Sequence, residues 1–171
     1  MPTNLPEFTQ NFKEIALVPI VSSAKALKII CKRWLQRYER LPDAVVLEGP
    51  LSGGHQGFTY EQCLDPEFSL FNLIPQVKAE IKEWGDFPLI AAGGIWDKND
   101  IEKAISLGAN GVQMGTRFIG THECDADIGF KEVLLAAEGK DIELIKSPVG
   151  YPARGIRTNL INLVDKRMGP K

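Results

Sequence analysis

Residues 88–116, PLIAAGGIWDKNDIEKAISLGANGVQMGT, decide the fold class of this chain. Two short apolar runs, Pro88–Ala92 and Gly111–Met114, have the composition of strands that are covered on both faces. The segment between them is apolar at helical spacing, with Asp97 as the predicted N-cap and Gly108 just past the predicted end. A strand, a helix and a second strand in this order predict a right-handed βαβ unit of a parallel sheet.

The same alternation occurs on the N-terminal side of this unit. Ile15–Val21 is rich in β-branched residues and predicts a strand, although Pro19 would shift that strand toward the ends of the run. Residues 23–40 have apolar side chains at spacings of three and four, which predicts an amphipathic helix. Ala44–Leu47 is apolar on both faces, as expected of an inner parallel strand.

Two further helical segments and a long tail complete the chain. Residues 65–84 have helical periodicity, and we expect Pro75 either to divide this segment or to lie in the first turn of its main helix. A last helix is predicted over residues 126–138, and the tail 147–171 is expected to be mostly loop. The chain therefore predicts an α/β fold with four parallel βα units.

The composition is typical of a globular chain and excludes several classes of function. The 171 residues have a formal net charge of −2 and are 44% hydrophobic, so we expect a single domain over residues 1–171 and no nucleic-acid partner. No apolar run is long enough to span a bilayer, and the first ten residues lack the features of a secretory signal. An odd number of cysteines without metal-type spacing favours a reducing, cytoplasmic location and no metal site.

Two glycine-containing pairs follow consecutive predicted strands. Gly93-Gly94 ends one strand, and Gly115-Thr116 ends the next. The carboxyl ends of parallel strands meet at one edge, where barrel and open-sheet enzymes bind phosphates. Glycine allows backbone N–H groups to approach phosphate oxygens closely, so residues 93–116 predict a phosphate site. The alternative is that these glycines only form tight turns.

The second candidate is His55, which lies in the segment SGGHQG just beyond a predicted strand. Imidazole is the usual general base near neutral pH, and the flanking glycines would allow a ligand to come close. A histidine on a surface loop is the alternative interpretation. Glu48 ends the preceding strand and could either reach the site or stabilise the loop by hydrogen bonding.

Three segments of the chain together resemble a known family. EGPLSGGHQGF (residues 48–58), PLIAAGGIWDKNDIEKAISLGANGVQMGTRFIGTHEC (88–124) and SPVGYPARGIRTN (147–159) are similar to segments of the nitronate monooxygenases, formerly called 2-nitropropane dioxygenases. Relatives of that family include the flavin-dependent bacterial enoyl-ACP reductases. The resemblance runs over nearly the whole chain and implies the FMN-containing TIM barrel of the family.

The resemblance implies a cofactor site and a catalytic residue. The implied cofactor-binding residues are, in chain order, Gly93, Gly94, Gln113, Met114, Gly115 and Thr116. By analogy the glycines and the threonine would hold the FMN phosphate, and the other two residues would line the flavin. His55 matches the active-site histidine, which would take the α-proton of a neutral nitroalkane or position a nitronate. With dioxygen, the implied reaction yields a carbonyl compound and nitrite.

The predicted units amount to half of a barrel. A TIM barrel takes roughly 250 residues and eight strands, whereas this chain supplies about four strands, which correspond to the C-terminal half. Two sheet edges would then be unpaired, so we expect a homo-oligomer or a second chain that supplies the N-terminal half. Two alternatives are an NAD(P)H-dependent flavin reductase acting on an enoyl thioester and a non-catalytic half barrel that only binds FMN.

Overall fold

The computed structural model describes residues 3–12, 14–147, 150–159 and 161–163. The strands are β1 (Ile20–Val21), β2 (Val45–Glu48), β3 (Gly54–His55), β4 (Leu89–Ala92), β5 (Gly111–Gln113), β6 (Ile142–Lys146) and β7 (Pro152–Ile156). The helices are α1 (Ala24–Tyr38), α2 (Tyr60–Leu64), α3 (Leu70–Trp84), α4 (Lys98–Ser106), α5 (Thr116–Ile119) and α6 (Ile128–Ala136). Short 3₁₀ turns cover Leu5–Thr9, Pro66–Phe68 and Gly139–Asp141.

The main sheet has four strands in the order β1-β2-β4-β5, and every pairing is parallel. α1, α3 and α4 lie between successive strands in the chain, which confirms the prediction of four parallel βα units. The inner strand β2 is buried along Val45, Val46 and Leu47, as a strand covered on both faces must be. In the part of the chain that the structure describes, β1 and β5 are the edges of this sheet.

Local sequence signals explain where the helices begin and end. The Ser23 hydroxyl accepts a hydrogen bond from the N–H of Ala26 at 3.2 Å and caps α1. Asp97 caps α4 by accepting from the N–H groups of Asn99 and Asp100, in a capping box. Gly108 follows α4 with a φ of +111°, a conformation that favours glycine. The predicted N-cap and C-terminal glycine of this helix are therefore confirmed.

The prediction for Pro75 is wrong, whereas the strand in the first run lies at the end of that run, as Pro19 predicted. α3 is continuous from Leu70 to Trp84, so Pro75 neither divides the segment nor lies in its first turn. The exposed proline only removes the N–H that would have bonded to the carbonyl of Phe71, and the buried face of the helix offsets that loss. In the first run, only Ile20–Val21 forms a strand. The preceding residues follow an irregular path, and the Leu17 N–H donates to the Asp43 carboxylate at 2.6 Å.

The described part of the tail contributes one strand to a second sheet. β6 and β7 form an antiparallel hairpin, and β7 also pairs with β3 in the order β3-β7-β6. The predicted loop over 147–171 is therefore wrong for Pro152–Ile156. Residues Pro148, Val149, Leu160 and 164–171 of that prediction lie outside the described residues. The sequence pattern does not predict this strand, because β7 contains a proline and a glycine and one of its two pairing partners, β3, is distant in the chain.

The core lies between the main sheet and the helices that follow its strands. Leu27, Ile30 and Trp34 of α1 and Ile74 and Ile81 of α3 are fully buried there. In contrast, α6 is apolar but contributes no buried residue, and its Ile128 side chain is 66% exposed. Within the described residues, no helix is both long enough and apolar enough to cross a bilayer.

Candidate functional site

Three neighbouring strands of the main sheet end at the same level. Glu48 at the end of β2 pairs in register with Ala92 at the end of β4, and Ala92 pairs with Gln113 at the end of β5. The loops that follow these strands therefore start side by side at one edge of the sheet. All of the residues singled out from the sequence lie in or just before these loops, so the fold brings the predicted site residues to a common edge.

The loop after β2 packs directly on Gly93 and Gly94. Both glycines have positive φ values, +88° and +86°. A Cβ on Gly93 would lie 2.8 Å from the carbonyl oxygen of Gly49, and one on Gly94 would lie 2.9 Å from the Cβ of Leu51. The two glycines are thus required by backbone conformation and by loop packing, whether or not a phosphate binds beside them. The tight-turn interpretation is sufficient to explain this pair.

Gly115 and Thr116 are placed differently. Gly115 has a φ of −117°, and a Cβ built on it would meet no atom within 4 Å, so neither strain nor packing requires glycine there. A Cβ on Gly53 would lie 3.6 Å from the Thr116 hydroxyl oxygen, so the loop carrying His55 approaches this pair. The open backbone at Gly115 fits a phosphate group that must come close to main-chain N–H groups.

The two residues before Gly115 differ in exposure. Gln113 is exposed at the end of β5, where its side chain is accessible to a ligand. Met114 is half-buried and packs against the hydrophobic core, so only part of its side chain is available to line a flavin.

A cation–π contact joins the loops that follow β4 and β5. The guanidinium carbon of Arg117 lies 4.8 Å from the centroid of the Trp96 ring, which is 55% exposed. The sequence pattern does not indicate this pair, although each residue follows one of the two glycine-containing pairs. The contact shows that the two loops meet.

His55 lies on the small sheet rather than on a free loop. It forms β3 with Gly54 and pairs with Ala153 of β7. Its side chain is exposed, but its Nε2 atom lies 2.8 Å from the hydroxyl oxygen of Ser147, a residue 92 positions away in the chain. The sequence pattern gives no signal for the role of Ser147 beyond its place at the start of the third segment that resembles the family.

Buried amide hydrogen bonds fix the shape of the loop that leads to His55. The Gln56 amide nitrogen donates to the carbonyls of Ser52 at 2.7 Å and of Gly54 at 3.1 Å. The Ser52 hydroxyl in turn donates to the Gln56 amide oxygen at 3.2 Å. Because Gln56 and Ser52 are both buried, these bonds are shielded from water and hold the loop in one conformation.

Two charged side chains border the same loop. Burial raises the pKa of the half-buried Glu48 carboxyl, and the neighbouring Ser52 hydroxyl opposes part of that rise. The Arg154 side chain donates from Nε to the carbonyl of Pro50 at 3.1 Å, and its charge lowers the pKa of Cys63 against the larger raising effect of burial. Arg154 thus supports the loop from β7.

An open cleft of about 560 Å³ borders one end of the site. Gly115 and Phe118 line it together with Cys124, Glu123, Thr121 and Ile119. His55 is not among these lining residues, so the cleft lies beside α5 and the loop that follows it rather than beside the histidine.

Comparison with known proteins gives consistent results. The family model described as "Nitronate monooxygenase" matches residues 1–170. A curated Bacillus subtilis protein named "Probable nitronate monooxygenase" is 38% identical over 118 residues, which cover 69% of this chain and 33% of that protein. A Staphylococcus saprophyticus protein of the same name is 33% identical over 126 residues, which cover 72% of this chain and 34% of that protein. The chain thus spans about a third of the length of these relatives.

Solved structures show the same fold. FabK from Thermotoga maritima superposes with a TM-score of 0.77 at 29% identity, and the match covers 98% of this chain and 47% of FabK. Nitroalkane oxidase from Streptomyces ansochromogenes superposes with a TM-score of 0.64 at 25% identity over 86% of this chain and 40% of that chain. The described fold therefore corresponds to about half of each of these barrels.

Proposed function

Because the chain belongs to the nitronate monooxygenase family, we propose that it forms part of an FMN-dependent oxidoreductase that oxidises nitronates or nitroalkanes with dioxygen. The observation that carries the proposal is the position of the His55 loop beside Gly115 and Thr116. Gly53 of that loop approaches the Thr116 hydroxyl, so the loop that carries His55 reaches the pair that would hold the phosphate. A flavin enzyme that removes a proton from its substrate needs its cofactor site and its proton acceptor close together.

Gly115 and Thr116 would hold the FMN phosphate through their backbone N–H groups. Gly93 and Gly94 would complete the phosphate site from the neighbouring loop, and Arg117 would add a positive charge. Gln113 and the exposed part of Met114 would lie along the flavin. When bound, the flavin supplies the electron-transfer chemistry that amino-acid side chains lack.

His55 would act on the substrate as a general base. A neutral nitroalkane has an α-proton that must be removed before oxidation, and an imidazole at strand β3 can accept it. A nitronate has already lost that proton, so His55 would only position it. The products proposed for either substrate are a carbonyl compound and nitrite.

We further propose that this half barrel forms one domain over residues 1–171 that functions in a larger, cytoplasmic assembly. The edge strands β1 and β5 leave backbone N–H and C=O groups for another chain, either a second copy or a polypeptide supplying the remaining strands. The exposed apolar helix α6 supports this proposal, because exposed apolar surface of this kind commonly marks a contact with a partner.

A second candidate function is an NAD(P)H-dependent flavin reductase of the enoyl-ACP reductase type. The structural similarity to FabK over nearly the whole chain supports it. The third alternative is a half barrel that binds FMN without catalysis.

The test is an absorbance spectrum of the purified protein, recorded beside its mass in solution and followed by two assays. Flavin absorbance with dioxygen consumption on a nitronate would support the first proposal. Flavin absorbance with oxidation of NAD(P)H by an enoyl thioester would support the flavin reductase. Flavin absorbance without either activity would support the half barrel that binds FMN without catalysis. A protein that neither contains nor binds FMN contradicts all three.

A further inference from the structure

A hydrogen bond links His55, at the end of β3, to Ser147, which directly follows β6. His55 Nε2 and Ser147 Oγ are 2.8 Å apart, and the Ser147 residue is only 5% exposed. This contact joins the first and third segments that resemble the family, whose sequence separation gives no reason to expect it.

Both residues are held by the same hairpin. The Ser147 N–H donates to the Tyr151 carbonyl at 3.0 Å, and the Ser147 carbonyl accepts from the Gly150 N–H at 2.9 Å, so Ser147 is fixed where the turn between β6 and β7 begins. Next to His55, the Gln56 N–H donates to the Pro152 carbonyl at 2.8 Å. Because both backbones are fixed to one structural unit, the hydroxyl and the ring cannot drift apart independently.

The chemistry of imidazole limits how this hydrogen bond can be used. A neutral ring has one N–H and one nitrogen lone pair. If the Ser147 hydroxyl donated to Nε2, that lone pair would be occupied and Nδ1 would carry the hydrogen, so the ring would have no free nitrogen to accept a proton. If Nε2–H donates to the hydroxyl oxygen, the lone pair is on Nδ1 and remains available.

We propose that Ser147 is a positioning residue that holds His55 in the Nε2–H tautomer and leaves Nδ1 as the nitrogen that receives the substrate proton. The inference rests on the proposed function, in which His55 acts as a base. In the proton-transfer step the substrate C–H bond breaks, a Nδ1–H bond forms, and the electron pair stays on the substrate as the nitronate. The Nε2–H to Ser147 bond persists, because both nitrogens of the imidazolium are donors.

The tautomer can be measured without flavin or substrate. The chain has only two histidines, His55 and His122, so ¹⁵N-histidine labelling gives two sets of ring signals. Long-range ¹H–¹⁵N correlation spectra distinguish the protonated from the unprotonated nitrogen in each neutral ring. His55→Asn assigns the signals, and His122 is the internal control.

We expect the parent to show His55 with hydrogen on Nε2. In Ser147→Ala we expect a mixture of the two His55 tautomers. In Ser147→Thr, which keeps the hydroxyl, His55 should show the parent tautomer. The His122 signals should be the same in all three proteins. Hydrogen on Nδ1 in the parent overturns the proposal, as does an unchanged tautomer in folded Ser147→Ala. Should Ser147→Ala fail to fold, the spectra of the parent and of Ser147→Thr still decide the question.

Kinetics in an active assembly separate this inference from the proposed function. Loss of one positioning hydrogen bond of about 1 kcal/mol should lower kcat for a neutral nitroalkane about fivefold in Ser147→Ala, with little change for a nitronate. Equal losses on both substrates overturn the positioning role. If the parent has the Nε2–H tautomer but no activity on either substrate, the proposed function fails and the tautomer assignment stands.

Discussion

Replacing Gly115 with alanine should weaken FMN binding while leaving the fold intact. Gly115 has a φ of −117°, and its added Cβ meets no atom within 4 Å, so the folded chain accepts alanine without strain. Fewer unfolded conformations should even stabilise the variant by about 0.4–1 kcal/mol. The new methyl group would nevertheless occupy the space through which a phosphate reaches the backbone at Gly115 and Thr116.

The size of the effect follows from the hydrogen bond that the methyl group blocks. A hydrogen bond to a charged group contributes about 1.5–3 kcal/mol, and about 1.4 kcal/mol corresponds to a tenfold change in Kd. FMN affinity should therefore fall about tenfold to a hundredfold in Gly115→Ala. Gly94 cannot provide this test, because alanine there combines a φ of +86° with a contact of 2.9 Å to Leu51 and would disturb the fold itself.

The assay is quenching of FMN fluorescence on titration with protein, with thermal unfolding as the check on folding. Gly111→Ala is the matched control, because its Cβ also meets no atom within 4 Å but lies at the opposite end of β5. The control should bind FMN as the parent does. Parent-like affinity in Gly115→Ala would refute the phosphate assignment, and equal weakening in both variants would show a general effect on β5.

Three further predictions concern other parts of the molecule. His55→Asn should lower turnover of a neutral nitroalkane by ~10²–10⁴-fold in steady-state assays and turnover of a nitronate much less, since only the former needs a base; equal losses would contradict the assigned role. Burial raises the pKa of Glu48 above its ordinary value of 4.5, so the stability that its protonated form contributes is present below pH 4.5 and is lost as pH rises through the raised value. As pH rises through this range, the denaturant midpoint should fall less steeply in Glu48→Gln than in the parent. Parallel curves for the two proteins would show that Glu48 does not cause the pH dependence. Sedimentation at micromolar concentration should show association through the open sheet edges and α6, with Ile128→Glu weakening it; a well-folded parental monomer would argue against a completing partner.

The locally encoded features were predictable from the sequence. The two ends of α4 were specified by Asp97 and Gly108, because the hydrogen bonds that cap a helix involve only neighbours in the chain. The four parallel strands followed from short apolar runs that alternate with amphipathic helices. These signals also predicted that the strand ends would meet, because the carboxyl ends of parallel strands must lie at one edge.

Predictions were wrong where packing or strand pairing outweighed the conformational preference of the local sequence. Pro75 is tolerated inside α3 because the buried face of that helix outweighs one missing hydrogen bond. β7 has weak strand propensity but forms because β3 and β6 pair with it on its two sides. Pairing energy from distant segments is absent from any local window of sequence.

The sequence by itself determined the α/β class, the boundaries of α4 and the glycine-rich loops at the strand ends, because caps, turns and periodicity act over a few residues. Only the tertiary structure decided what each loop contacts. It showed that Gly93 makes room for the loop after β2, that Gly115 faces open space, and that Ser147 reaches His55 across 92 residues. Such contacts depend on how sheets and hairpins pack, which a linear pattern does not encode.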